Sequence, residues 1–231
     1  QTATLTAVNA ATGDQVTRYL YGTTLDDSEI ARSDLLRKVI YPDSDDPSAS
    51  SDGSDNEFDR VEYRYNRQGQ QTEFQDQNET VHAYDYDGLG RRTADRVTLA
   101  SGSAVDDAVL RIETTYEVRG MLEKVTSYAA ATGGSVVNEV LRTYNGFGQL
   151  EAEYQAHAGA VDEMTTPKVQ YAYADGAANT ARLTGLTYPN GRALLYDFGA
   201  ADSDDDRLSR VAAIQGDTGS AAETYVAYTY L

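Results

Sequence analysis

Short runs in which large apolar and small polar residues alternate recur along the whole chain. They occupy residues 2–8, 17–21 and 37–41, and return as Tyr63 and Tyr65, Tyr84 and Tyr86, Tyr171 and Tyr173, and Tyr228 and Tyr230. Side chains two positions apart on a strand share a face, so this period predicts half-buried β-strands. No long amphipathic helical pattern is evident. Residues 25–36 read as holding one short helical turn, with Asp26, Asp27, Ser28 and Glu29 ahead of Ile30.

A second regularity lies over the first. Four times a tyrosine is followed, four positions on, by glycine: Tyr65 and Gly69, Tyr86 and Gly90, Tyr116 and Gly120, Tyr144 and Gly148. The residue after each tyrosine is Asn66, Asp87, Glu117 or Asn145. A short polar side chain opens a turn, and glycine takes the positive φ that closes a hairpin loop. A new alternating run then begins, as in Leu150, Ala152 and Tyr154. Each unit therefore reads as strand, tight turn, strand, and the recurrence marks a repeat scaffold. The expected sheet anchors are Tyr65, Tyr86, Tyr116 and Tyr144, and the expected turn formers are Gly69, Gly90, Gly120 and Gly148. From Tyr65 the tyrosine spacings are 21, 30, 28 and 29, the last ending at Tyr173. A variable period means that the strands are kept while the loops take insertions.

The segment Tyr84-Asp85-Tyr86-Asp87-Gly88-Leu89-Gly90-Arg91-Arg92-Thr93 resembles the YD repeat of RHS proteins, roughly Y-D-x-x-G-R-x-x-x-x-T. Asn145-Gly146-Phe147-Gly148-Gln149-Leu150 is a looser copy, and Leu186-Thr187-Tyr188-Pro189-Asn190-Gly191-Arg192 resembles the Y-P-[DN]-G-R variant. Tyr41-Pro42-Asp43 looks like the start of another unit. Phe198-Gly199 and Arg207-Leu208 look like one unit split by an acidic insertion. The resemblance runs from about Thr17 to Tyr230. Only Gly90 is followed directly by the family's arginine; Gln70, Met121 and Gln149 fill that place elsewhere, and extra residues follow Tyr173-Ala174-Asp175-Gly176.

The resemblance implies an all-β array of antiparallel hairpin repeats forming a continuous spiralling sheet, as in the shells of RHS toxins, insecticidal toxin complexes and teneurin-like surface proteins. It implies one repeat domain over residues 1–231, an interior part of a longer protein or an assembly-forming chain, with an acidic surface insert at 42–57. Arrays of this family often end in a D-P-x-G motif linked to self-cleavage; the only Asp-Pro here, Asp46-Pro47, is followed by Ser48 and Ala49. The implied function is that of a structural segment of a secreted or cell-surface shell. The expected partners are flanking repeats or further copies of the chain at open sheet edges, with an enclosed toxin cargo as a further one.

Composition narrows the picture. Of the aromatic residues 18 are Tyr, 4 are Phe and none is Trp, which suits wide amphipathic sheet faces. The formal net charge of -18 repels nucleic-acid phosphates. No apolar run approaches the roughly 20 residues of a membrane-spanning helix, and membrane insertion is not expected. The absence of cysteine excludes disulfides and thiolate metal sites.

Candidate chemistry is sparse. The two histidines, His82 in an alternating run and His157 at a loop edge, form no zinc-binding spacing. No nucleophile elbow, phosphate loop or dinucleotide fingerprint occurs, so no enzymatic activity and no organic cofactor are expected. Calcium is the one metal considered, with Asp202, Asp204 and Asp206 as candidate ligands, although their spacing does not fit an EF-hand loop. Two other functions stay open: a carbohydrate-binding or adhesion module using the tyrosine faces, and a self-assembling extracellular filament.

Overall fold

A computed structural model describes residues 2–7, 15–41, 60–174, 181–217 and 222–230. The acidic insert expected at 42–57 lies outside the described residues, as does the Asp175-Gly176 extension. Among the described residues the chain forms sixteen strands. The first eight are β1 (Thr2–Ala7), β2 (Gln15–Tyr21), β3 (Leu36–Ile40), β4 (Arg60–Tyr65), β5 (Gln71–Gln75), β6 (Val81–Tyr86), β7 (Arg92–Thr98) and β8 (Arg111–Tyr116). The rest are β9 (Leu122–Tyr128), β10 (Val136–Tyr144), β11 (Leu150–Ala156), β12 (Lys168–Tyr173), β13 (Leu183–Thr187), β14 (Ala193–Asp197), β15 (Ala213–Asp217) and β16 (Ala222–Ala227). The one helix among the described residues, α1 (Asp204–Arg207), precedes β15. The protein is all-β. The strands run in sequence order through one antiparallel sheet, each hydrogen-bonded to its neighbours in the chain.

This meander has a consequence for the repeats. The four Tyr-to-Gly turns follow every second strand, leaving β4, β6, β8 and β10. Two of the longer connections, residues 99–110 and 157–167, leave β7 and β11 instead, so they interrupt none of these turns.

By packing, the chain forms two compact units. One comprises Gln1–Thr114 with Ser127–Ser135, the other Thr115–Thr126 with Val136–Leu231. In the first, the register places Val39, Val61, Tyr63, Phe74 and His82 on one face and Lys38, Glu62, Arg64 and Glu73 on the other. The charged face is paired within itself. Lys38 and Arg60 both meet Glu62 at 2.8 Å, Arg64 meets Glu73 at 3.0 Å, Arg96 meets Asp85, and Arg111 meets Glu113 at 3.0 Å. Exposed pairs contribute about 0–1 kcal/mol each. Their larger effect is to prevent like charges from facing one another across strands. Arg111 is buried, and its guanidinium also lies 3.9 Å from the Tyr128 ring centroid.

In the second unit, Leu141, Ala152 and Tyr154 form a small buried cluster on β10 and β11. The loop of residues 157–167 folds back over it: Val161 packs on the cluster, and the Gly159 amide donates to the Val137 carbonyl at 2.9 Å.

Residues 25–36 hold the single helical turn expected of them: the Ser28 amide donates to the Thr24 carbonyl at 3.0 Å, and the turn is not continued. Local side-chain bonds take the backbone from there: Asp27 Oδ1 accepts from the Thr24 amide at 2.9 Å, and Thr23 Oγ1 accepts from the Arg32 amide at 3.1 Å while donating to the Ile30 carbonyl. One segment departs from expectation: the acidic insertion between Phe198-Gly199 and Arg207-Leu208 contains helix α1. Ser203 caps it, its Oγ accepting from the Asp206 amide at 3.3 Å, and the three aspartates of the first turn suit the positive helix end.

The β5–β6 connection is a turn that sequence reading missed. The Asp76 amide donates to the Thr80 carbonyl at 3.0 Å, and Asp76 Oδ1 accepts from the amides of Asn78 and Thr80 at 2.9 and 2.8 Å. Glu79 stands in the closing position with φ 60. A side chain in this left-handed region costs about 1 kcal/mol or more. Glu79→Gly is therefore expected to stabilise the protein by about 0.5–1 kcal/mol, read as a higher urea midpoint, while Glu79→Ala leaves the midpoint nearly unchanged.

Candidate functional site

The residues singled out by the repeat form four turns of one design, two in each unit. In each, the residue after the tyrosine donates its amide to the carbonyl four positions on: Asn66 to Gln70, Asp87 to Arg91, Glu117 to Met121 and Asn145 to Gln149, at 2.9–3.0 Å. The glycine amide donates back to the first residue's carbonyl at 2.8–3.0 Å. One side-chain oxygen then accepts two further amides. Asn66 Oδ1 takes Gln68 and Gln70, Asp87 Oδ1 takes Leu89 and Arg91, Glu117 Oε1 takes Arg119 and Met121, and Asn145 Oδ1 takes Phe147 and Gln149. Gly69, Gly90, Gly120 and Gly148 have φ of 81, 81, 90 and 81, the left-handed region that closes such a loop.

Charge strengthens two of these turns. Hydrogen bonds from the Arg91 amide and side chain hold the Asp87 carboxyl below its ordinary value. At Glu117, burial pushes the carboxyl up, but the Arg119 side chain and the turn amides more than reverse this.

At three of the four turns the tyrosine ties the turn to the preceding hairpin. The Tyr65 hydroxyl donates to the Leu36 carbonyl, Tyr86 to Gln71 and Tyr144 to Leu122, each at 2.6 Å. Tyr173 repeats the contact with Leu150 at 3.1 Å, and Tyr230 reaches Val211 at 2.7 Å. Leu36, Gln71, Leu122 and Leu150 are the residues that open the neighbouring strands β3, β5, β9 and β11. Tyr116 ends β8 in the equivalent place. Burial, and next the adjacent Tyr63, push the Tyr65 hydroxyl up, which keeps it a donor. Replacing Tyr86 or Tyr144 by Phe removes one neutral hydrogen bond and leaves a carbonyl short of its partner. The expected loss is about 0.5–1.5 kcal/mol per site, additive in the double variant because the two contacts share no residue; urea melts of the single and double variants measure it.

A third link runs forward. Gln70, directly after Gly69, donates through Nε2 to the Gly90 carbonyl at 2.8 Å. Met121, directly after Gly120, places its sulfur 3.4 Å from where a Cβ on Gly148 would stand. Arg119 Nη1 donates to the Asn145 carbonyl at 2.9 Å. The place that holds arginine in the YD pattern is thus used, at Gln70 and Met121, to cover the next turn's glycine.

The remaining candidates are not part of these turns. His82 Nδ1 is 2.8 Å from Asp95 Oδ1, and His157 is exposed on the 157–167 loop. Asp204 and Asp206 belong to α1, and Asp202 precedes it with φ 64. Asp206 Oδ1 pairs with Arg182 at 2.5 Å and its Oδ2 accepts from the Asp202 amide at 2.9 Å; the Arg182 bond, chiefly, holds this carboxyl below its ordinary value. Among the described residues no three His, Asp or Glu side chains gather as a metal site would require, and no helix is long and apolar enough to cross a membrane, which says nothing of strands.

Neither a protein-family model nor a curated protein matches the chain. Solved structures do. The chain is similar to the TcdB2-TccC3 structure lacking its hypervariable C-terminal region, at 12% identity and a TM-score of 0.36, over 97% of this chain and 12% of that one. It is also similar to a porin-like protein from Bacteroides uniformis, at 12% identity and a TM-score of 0.34, over 97% of this chain and 91% of that one.

Proposed function

We propose that the chain is a non-enzymatic wall segment of the RHS/YD-repeat kind, part of a secreted or cell-surface shell. The observation that supports this reading is the reciprocal linkage of its turns. Tyrosine hydroxyls reach back to the preceding hairpin, as at Tyr86 and Tyr144, while Gln70 and Met121 reach forward to the next turn of the same unit. Repeats linked in this way complete one another, the energetic pattern of a repeat array. The polar atoms of the motif are used in holding backbone to backbone. The YD resemblance of residues 84–93 adds the family context, and flanking repeats are the partners the reading implies.

Cryo-electron microscopy of the parent protein tests it. The expected result is continuous strand density for this stretch within the wall of a closed or spiral shell. Density showing it as a separate module on a flexible tether overturns the reading. Polymers formed by the isolated chain would instead favour the filament.

A further inference from the structure

We propose that Asn145 is a site of self-modification: the Gly146 backbone nitrogen displaces the Asn145 side-chain amide as ammonia, and the surrounding turn promotes the step. This goes beyond the wall function and does not depend on it. The chain holds two Asn-Gly pairs, Asn145-Gly146 and Asn190-Gly191. Glycine has no Cβ to crowd its own nitrogen, so attack is least hindered at such pairs. The two pairs stand differently in their turns. The Gly191 amide donates to the Tyr188 carbonyl at 2.9 Å and is engaged. Gly146 is exposed, and among the described residues no group accepts its amide.

Neighbouring groups favour each stage of the reaction. Removing the Gly146 amide proton places negative charge on the carbonyl oxygen of the same peptide, that of Asn145. Arg119 Nη1 and the Gly148 amide both donate to this oxygen, at 2.9 and 3.0 Å. A guanidinium in that place stabilises the deprotonated nitrogen, and Glu117 Oε2 holds Arg119 there at 2.9 Å. Attack on Cγ then turns Asn145 Oδ1 into an oxyanion. The Phe147 and Gln149 amides already donate to Oδ1 at 3.0 and 3.1 Å, as the donors of an oxyanion hole do. Gln149 Oε1 holds the leaving nitrogen, Nδ2, at 2.7 Å. The Gly146 proton passes to solvent base, the bond from Gly146 N to Cγ forms, the Cγ–Nδ2 bond breaks, and Nδ2 takes a proton from water to leave as ammonia. The resulting succinimide adds one water and opens to aspartate or isoaspartate. Asn66 has the same side-chain bonds in its turn, but Arg67 follows it in place of glycine.

The test incubates the full chain at mildly alkaline pH, folded in buffer or unfolded in guanidinium chloride. Mass spectrometry of the tryptic peptides 143–168 and 183–192 then reads the conversion of amide to acid at Asn145 and Asn190 separately. Asn145 is expected to convert faster than Asn190, and faster in the folded chain than in the unfolded one. Arg119→Gln should slow Asn145 about tenfold and leave Asn190 unchanged, a split that a general loss of folding would not give. Gly146→Ala should nearly stop conversion at Asn145 with far-ultraviolet circular dichroism unchanged, since a Cβ there meets nothing within 4 Å. Conversion no faster in the folded chain than in the unfolded one overturns the proposal. So does earlier conversion of Asn190, or an unchanged Asn145 rate in Arg119→Gln.

Discussion

Gly90→Val should lower stability by about 2–4 kcal/mol, while Gly88→Ala, two residues away in the same turn, should stay within about 0.5 kcal/mol of the parent. The contrast comes from the backbone. Gly90 has φ 81, whereas Gly88 lies outside the left-handed region and a Cβ built on it meets nothing within 4 Å. A β-branched residue at positive φ is strained whatever its surroundings. At Gly90 the surroundings add a second cost. The new Cβ would lie 3.0 Å from Gln70 Nε2, the atom that donates to the Gly90 carbonyl. Gln70 is long enough to swing aside, but only by giving up that bond. The damage therefore reaches the preceding turn, and amide exchange near Gln70 should rise as well as near Gly90. Urea melts of the two variants, each beside the parent, give the comparison. Equal midpoints for both would mean that the turn does not need its glycine.

The four turns were largely legible in the sequence, because each rests on local chemistry: a tyrosine ending an alternating run, a side-chain acceptor, and a glycine three residues after that acceptor. The turn at 76–80 uses the same acceptor geometry without tyrosine or glycine. Asp76 followed by Asn78 and Thr80 was its only signal, and Glu79 concealed the closing position. Helix α1 carried a readable mark, Ser203 three residues ahead of Asp206. The stretch read as an acidic insertion, yet Asp206 is drawn onto Arg182, which lies 24 positions earlier and has no local trace in the pattern. The links between turns were hidden for the same reason. Tyrosine predicted a half-buried ring that needs a hydroxyl partner, but not that the partner would be the carbonyl opening the neighbouring strand. Nor does the chemistry of glutamine or methionine reveal that Gln70 and Met121 sit on the next turn. Such contacts depend on strand register, and register is set by the whole sheet.

Glu139 shows what lies furthest from a sequence reading, and its replacement should have the second large effect. Alternation along β10 puts Glu139 on the face of Leu141, the buried face, where a carboxylate needs partners. It is 5% exposed, and the 157–167 loop reaches it through the Val161 amide. Its oxygens hold three donors: Thr126 Oγ1 at 2.8 Å, the Val161 amide at 3.1 Å and Lys124 Nζ at 3.5 Å. Removing the side chain in Glu139→Ala strands the buried Thr126 hydroxyl and the Val161 amide together, for an expected loss of about 3–4 kcal/mol. Glu139→Gln should cost about 1 kcal/mol, since its carbonyl can keep Val161 and the Thr126 hydroxyl can turn to accept from the new amide. Acid should erase part of the difference. Burial pushes the Glu139 carboxyl up, but the bonds from Thr126, Val161 and Lys124 outweigh it and leave the group below its ordinary 4.5. A carboxyl lowered on folding stabilises fully above the unfolded value, and that contribution is lost as pH falls through the folded one. The gap between parent and Glu139→Gln should thus be constant from neutral pH to about pH 5 and narrow below 4.5. Hydrogen exchange at the Val161 amide locates the effect, with faster exchange in Glu139→Ala at neutral pH. An unchanged Val161 rate in that variant would show that the loop is held by Val161 packing on Leu141 and Tyr154, and not by the carboxylate.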